Sequence, residues 1–301
     1  MNNPNGSMSD SLLSSYEATT GVNYNCVEIF ADADPSWSTW TNPWPLTQSG
    51  YGWTGWLAES PSHQMVLGQQ LIPNSVCASV CSDPLTWESA CAAGDYNSYA
   101  TALGQYLVAN DAANTVMRLG KEFNGDWEND WIGSPSDPNY VEEQQDWAQC
   151  FDNEVTAMRA VPGEHFLFDW NPAACDAGFT FADAYPGNAY VDIIGIDAYD
   201  ESCWTLEGAN QEGFTQLNSD GGTGSTNSII AFAQSEAKPI SFPEWGTDVT
   251  PDDPTYMQGM INLVKNDDVS YQSYFDCNCD TITPLGSSMP NSTSLYTAAF
   301  G

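Results

Sequence analysis

Two glutamates stand where an apolar run gives way to an aromatic-rich loop. Glu122 follows Val116-Met117-Arg118-Leu119-Gly120-Lys121, and Glu244 follows Pro239-Ile240-Ser241-Phe242-Pro243 and precedes Trp245-Gly246. Two carboxyls facing across a cleft can hydrolyse a glycosidic bond, one protonating the leaving oxygen while the other attacks the anomeric carbon, and retention of configuration needs them about 5 to 5.5 Å apart. An arbitrary strand-end glutamate is more often an ion-paired structural group, here with Arg118 or Lys121 as partner. The surrounding aromatics shift that balance. Trp127, Trp131, Trp170, Trp204, Trp245, Tyr199 and Tyr274 all fall at or just after apolar runs, with Trp37, Trp40, Trp44, Trp53 and Trp56 nearer the amino end. Indole faces stack on pyranose rings while Asp, Asn and Glu bind hydroxyls, so the mixture fits a sugar cleft. About half of these aromatics are expected in the core, Trp87 and Trp147 on helices first among them.

The elements that must bring the two glutamates together are short β-branched runs alternating with helix-period segments, the pattern of βαβ units around a parallel sheet. Strands are predicted at Asn23 to Phe30, Met65 to Ile72, Thr115 to Leu119, His165 to Asp169, Tyr190 to Ile196, Pro239 to Phe242 and Ser270 to Phe275, and helices at Tyr96 to Asn110, Val141 to Ala160, Thr226 to Ala237 and Pro254 to Asn266. Polar loops run from Gly125 to Pro138 and from Asp200 to Gly224. The expected fold is α/β, a (β/α)8 TIM barrel forming one domain over 1–301. Seven strands are visible; the first, which should precede the helix near Leu12 to Thr19, is expected to be irregular or missing. In such a barrel catalytic groups gather at the carboxyl ends of the strands.

The chain of 301 residues carries 5 Lys+Arg against 40 Asp+Glu, a formal charge of -35. Phosphate recognition draws on the bases this chain lacks, which excludes nucleic acid and disfavours an anionic membrane surface. No apolar run reaches membrane-spanning length. Such acidity suits a saline or an acidic habitat equally well. Arg118, Lys121, Arg159, Lys238 and Lys265 are the whole cationic inventory, so a cation beside a motif carries information. Nine cysteines with two histidines fit disulfides of an exported protein better than zinc, with local pairing expected among Cys77, Cys81 and Cys91 and one thiol left over. With no signal peptide at Met1, export implies a mature form.

The segments Arg118-Leu119-Gly120-Lys121-Glu122-Phe123-Asn124-Gly125-Asp126-Trp127, Asp169-Trp170-Asn171-Pro172, Val191-Asp192-Ile193-Ile194-Gly195-Ile196-Asp197-Ala198-Tyr199 and Pro243-Glu244-Trp245-Gly246 occur in one order. Together they resemble clan A glycoside hydrolases, family 26 most closely, a family of endo-β-1,4-mannanases, β-1,3-xylanases and β-glucanases. The resemblance implies a retaining endo-β-glycosidase with Glu122 as acid/base and Glu244 as nucleophile. The residues expected to contact substrate are Arg118, Lys121, Asn124, Trp127, Trp131, Trp170, Asp197, Tyr199, Trp245 and Tyr274; of these, the resemblance places Trp127 at the cleavage point and Tyr199 in a hydrogen bond to the nucleophile. No cofactor or metal is implied. The expected partner is a neutral polysaccharide, β-1,4-mannan by the resemblance, with β-xylan or β-glucan as alternatives; the protein is expected to be monomeric and secreted. A catalytically inactive carbohydrate-binding barrel is the reading from another class. Two departures stand out: Lys121 occupies the place of a family histidine, and a family tryptophan on the last strand has only Tyr274 or Phe275 near its place.

Overall fold

The structure, a computed structural model, describes residues 10–31, 36–47, 52–76, 84–174, 181–199, 224–247, 252–276 and 283–301. Its centre is an eight-stranded sheet, β1 Cys26–Phe30, β2 Gln64–Gln69, β3 Val116–Leu119, β4 Leu167–Trp170, β5 Ile193–Gly195, β6 Ala198–Tyr199, β7 Ile240–Gly246 and β8 Val269–Tyr274, in the order β1-β2-β3-β4-β5-β7-β6 with β8 on β7. Every ladder is parallel, and β8 comes back against β1, so the sheet curls into a nearly closed α/β barrel. The predicted seven runs are all present. β5 and β6 both pair with β7 and lie on the one run Ile193–Tyr199, so eight strands make seven staves. The segment expected to hold an irregular first strand, 1–9, lies outside the described residues.

Helices cover the outside. Those predicted at 96–110 and 141–160 form as Asn97–Ala109 and Tyr140–Arg159, and those at 226–237 and 254–266 as Thr226–Ser235 and Pro254–Asn266. The last starts at the predicted residue because Asp253 accepts from the amides of Thr255 and Tyr256 while Pro254 occupies the first turn, where its missing N–H costs nothing. The longest, Tyr140–Arg159, lays Trp147, Cys150, Phe151, Val155 and Met158 against the barrel. Its Cys150 is disulfide-bonded to Cys91 of the helix Pro84–Ala92, with Cα atoms 4.9 Å apart. This corrects the expected local pairing: Cys91 is taken by a partner 59 residues away, and Cys77 and Cys81 lie outside the described residues.

Inside the barrel, period-two alternation stacks three layers. Val66, Val116, Ile193 and Tyr271 pack together as an apolar floor. Above it lies a polar layer in which Asp169 accepts from Ser241 and Tyr271, both at 2.6 Å. Gly195 is required there, since a Cβ would sit 2.5 Å from Asp169 Oδ1. At the mouth, Phe30 and Phe275 meet edge to face beside Tyr199.

The same alternation corrects three expected sugar contacts. Trp170 and Trp245 are wholly buried and Tyr274 nearly so, because each follows an inward-facing position and therefore turns outward, under the helices. Trp170 packs on Phe123, Phe181, Tyr185 and Phe232; Trp245 packs on Tyr256, Tyr274 and Tyr296. None can stack on a polysaccharide. Of the two candidates on the last stave, Phe275 is the one that faces the mouth. Trp40, Trp53 and Trp56 are core residues too, as are Trp87 and Trp147.

Candidate active site

Glu122 and Glu244 reach the mouth by two different local devices. Glu122 lies three residues beyond β3, in a turn, with φ +51. A non-glycine residue held in the left-handed region is strained, and such strain collects at functional sites. The turn is fixed by the Glu122 amide, which donates to Asn171 O at 2.7 Å, and by Gly125 N, which donates to Glu122 O at 2.8 Å. Gly120, at φ +59, leaves no room for a side chain: a Cβ would stand 2.6 Å from Trp147. Glu244 lies inside β7, where strict alternation would put it on the same face as the buried Phe242. The register prevents that. Phe242 pairs with Gln272 but Trp245 pairs with Tyr274, so β7 carries one extra residue, a bulge that turns Glu244 inward and Trp245 outward.

One oxygen from each of Glu122, Asp197 and Glu244 lies within 4.8 Å of the others. The two glutamates therefore share one site. Beneath them Arg118, fully buried on β3, donates through Nη1 to Glu244 Oε1 at 3.0 Å and to Glu28, and through Nη2 to Asp197 Oδ2 at 2.6 Å. Asn171 accepts from Arg118 Nε at 2.9 Å and donates to Asp197 at 3.3 Å, and Asp197 Oδ1 also accepts from the Glu244 amide at 3.0 Å. Three carboxylates at this spacing are close enough to share a cation, yet Arg118 and Lys121 already supply positive charge, and the cluster is arranged for acid–base work. Among the described residues the other such grouping is Cys91, Cys150 and Glu154, whose sulfurs are joined.

The surroundings pull the two glutamates apart in acidity. Burial and the negative charge of Glu244 push Glu122 up to about 7, against the opposing effect of Lys121. Burial also pushes Glu244 up, but Arg118, Lys121 and the Tyr199 hydroxyl outweigh it and hold the carboxyl below its ordinary value. Tyr199 donates to Glu244 Oε2 at 2.7 Å. Near pH 6 one group carries a proton and its neighbour does not, the division of labour that two-carboxyl hydrolysis needs. Trp127 Nε1 donates to Glu122 Oε2 at 2.5 Å with 42% of the residue exposed. The ring folds back over Gly125, where a Cβ would meet it at 2.2 Å. Its exposed face is open to solvent beside Glu122.

The remaining expected contacts divide. Asn124 is bonded both ways to the backbone of Ala173, and Arg118 lies beneath the carboxylates; both position the site rather than face a cleft. Lys121 is ion-paired to Glu128 at 2.5 Å. Trp131 is part-buried, and Trp204 lies outside the described residues. Sequence reasoning missed Glu28, Asn171 and Glu128. A lone acid inside Val27-Glu28-Ile29 was the available signal for the first, since alternation sends it into the barrel.

A parallel barrel that gathers two carboxyls of opposite bias at the carboxyl ends of its strands holds the groups that two-carboxyl hydrolysis of a glycosidic bond requires. Residues 95–221 match the model of glycosyl hydrolase family 26. A mannan endo-1,4-beta-mannosidase of Bacillus subtilis (strain 168) is 28% identical over 155 residues, 47% of this chain and 41% of that protein, so the chain spans about two fifths of this relative's length. Among solved structures, a Cellulomonas fimi endo-beta-1,4-mannanase double mutant superposes with TM-score 0.64 at 18% identity, over 98% of this chain and 67% of the other. A GH26 beta-mannanase from Bacteroides ovatus gives 0.65 at 14%, over 94% and 80%. The chain is thus similar to glycosyl hydrolase family 26 over residues 95–221 and to a mannan endo-1,4-beta-mannosidase over part of its length; the structural likeness bears out the barrel.

Proposed function

We propose that residues 1–301 form one catalytic domain of a retaining endo-β-glycosidase, with Glu244 as nucleophile and Glu122 as acid/base, acting on β-1,4-mannan. Glu244, ionised, attacks the anomeric carbon as Glu122 passes its proton to the leaving oxygen; Glu122, now basic, then takes a proton from the water that releases the sugar. The observation that carries this reading is the approach of the two carboxyls to within 4.8 Å, the spacing of direct attack rather than of a water held between them, with their acidities displaced in opposite directions. The names of the relatives support mannan; β-xylan and β-glucan run through the same chemistry. The disulfide supports export. Among the described residues no helix is long and apolar enough to cross a membrane.

The test is reducing-end release from mannan, xylan and β-glucans by the purified chain, with NMR of the first-formed anomer. Release with retention is expected. Glu244→Gln should abolish hydrolysis while oligosaccharide binding survives. Inversion, or unchanged hydrolysis by that variant, overturns the assignment, and binding without cleavage by the unaltered chain would instead identify a carbohydrate-binding barrel.

A further inference from the structure

Beside Glu122 lies a second charged pair. Lys121 is 6% exposed; its Nζ is 2.5 Å from Glu128 Oε1 and 5.7 Å from the centre of the Phe30 ring. Glu128, also buried, is held from its other side, its Oε2 accepting from Gln70 Nε2 at 3.1 Å. Gln70 is tied in turn through its carbonyl, which accepts from the buried Trp40 indole at 2.7 Å. The ion pair is therefore fixed in a weakly screening wall rather than mobile in water, where opposed charges act most strongly on a neighbour.

The charged and titratable groups facing Glu122 come from every side: Glu244 from β7, Asp197 and Tyr199 from the Ile193–Tyr199 run, and Lys121 and Glu128 from its own loop. Arg118 lies one layer below. Asp130, bonded to the Leu71 amide at 2.6 Å, faces Lys121 from the same loop.

We propose that Lys121 and Glu128 are a positioning pair that sets the pH range over which Glu122 can donate its proton, the two members acting in opposite directions. The inference rests on the reading of Glu122 as acid/base. Lys121 favours the charged form of Glu122, and Glu128 disfavours it. Removing the cation should let Glu122 keep its proton to higher pH, whereas removing the anion should make it release that proton sooner. Two substitutions at one ion pair then move one titration in opposite senses. Loss of a merely structural bridge would lower activity in both variants and displace neither.

The experiment compares the unaltered chain with Lys121→Met, Glu128→Gln, the double variant and Lys121→Arg, each first checked for folding by circular dichroism and thermal melt. The readouts are the alkaline limb of kcat/KM and a direct carbon-13 NMR titration of labelled glutamate carboxyls. Lys121→Met should move the Glu122 transition up by about 1 pH unit and Glu128→Gln should move it down by a similar amount. The double variant should fall between them, and Lys121→Arg should stay with the parent. Shifts of the same sign, or no shift in variants that fold, overturn the proposal. Since the NMR titration needs no substrate, a chain that cleaves no β-glycan would sink the proposed function while leaving this inference to stand or fall by itself.

Discussion

At the scale of single residues, the site is a problem of holding several carboxyls together without letting them share protons at random. Arg118 is the centre of the solution, since Glu28, Asp197 and Glu244 all take hydrogen bonds from it. Glu28 itself is pushed up to about 8 by burial against the pull of Arg118, and it takes one of the guanidinium's remaining hydrogen bonds. Removing Arg118 would leave Asp197 and Glu244 buried without the guanidinium they share, and Arg118→Met is expected to cost about 3 to 5 kcal/mol of stability in a denaturant titration. Tyr199 acts more locally. Its hydroxyl bonds the charged form of Glu244, so Tyr199→Phe should reduce kcat/KM by about 10- to 100-fold and move the acid limb of the profile upward, as Glu244 loses a group that held it ionised. If Tyr199 serves only to pack on Phe275, the substitution will leave the acid limb where it was. On the other partner, Glu122→Gln should lower kcat by about 10² to 10⁴, with least effect on substrates whose leaving group needs no proton, such as activated aryl glycosides.

At the scale of elements, the barrel was legible because its information is local. Apolar β-branched runs and helix-period segments fixed seven staves and four of the covering helices to within a few residues. What was not legible depends on which way a side chain turns. Trp170 and Trp245 sit beside site residues in the sequence, and adjacency suggested a shared role; in a strand, adjacency means opposite faces. Applied to Asp169-Trp170-Asn171, the alternation alone would have sent the indole outward. Glu244 is harder, since its direction depends on a bulge defined by pairing with β8, and no feature of Pro243-Glu244-Trp245 encodes that register. The disulfide was hidden for the same kind of reason: Cys91 and Cys150 meet because two helices pack, not because their positions are close in the chain. This bond joins two outer helices and touches neither glutamate, so replacing both cysteines with alanine should lower stability by about 2 to 4 kcal/mol and leave kcat at moderate temperature nearly unchanged. A thermal melt beside an activity assay checks both halves, and a loss of kcat with no change in melting temperature would contradict the separation. Gly120→Ala should do the reverse, because it strains the turn that carries Glu122: activity falls by more than stability explains.

At the scale of the whole molecule, a formal charge of -35 overstates what the folded chain carries in mild acid, because several carboxyls are buried where ionisation is costly. Glu28 is pushed up to about 8, chiefly by burial; Asp130 and Asp276 are each pushed up to about 7, again by burial first. The sign of the consequence follows from linkage. Between the ordinary carboxyl value and these raised ones the folded state binds more protons than the unfolded state, so each group contributes stability that is complete in acid and is lost as pH rises toward 7 or 8, with a slope of up to about 1.4 kcal/mol per pH unit per group. Asp252 runs the other way: burial raises it, but the hydrogen bonds from Ser292 and Asn291 together outweigh burial and hold it below its ordinary value, so its contribution is lost only at the acid extreme. Repulsion among exposed carboxylates also weakens on acidification, and it has the same sign as the buried term, but salt separates the two. Exposed charges are screened over about 3 Å at 1 M salt, whereas buried groups are not. Melting temperature should therefore rise steadily from pH 8 to pH 5. Adding 1 M sodium chloride should raise it most at pH 8, and a residual slope should persist in high salt. If salt flattens the profile completely, surface repulsion alone governs stability and the acidity is that of a chain suited to brine; if melting temperature instead increases from pH 5 to pH 8, the buried carboxyls are ionised in the fold and the electrostatic account of the barrel interior fails with them.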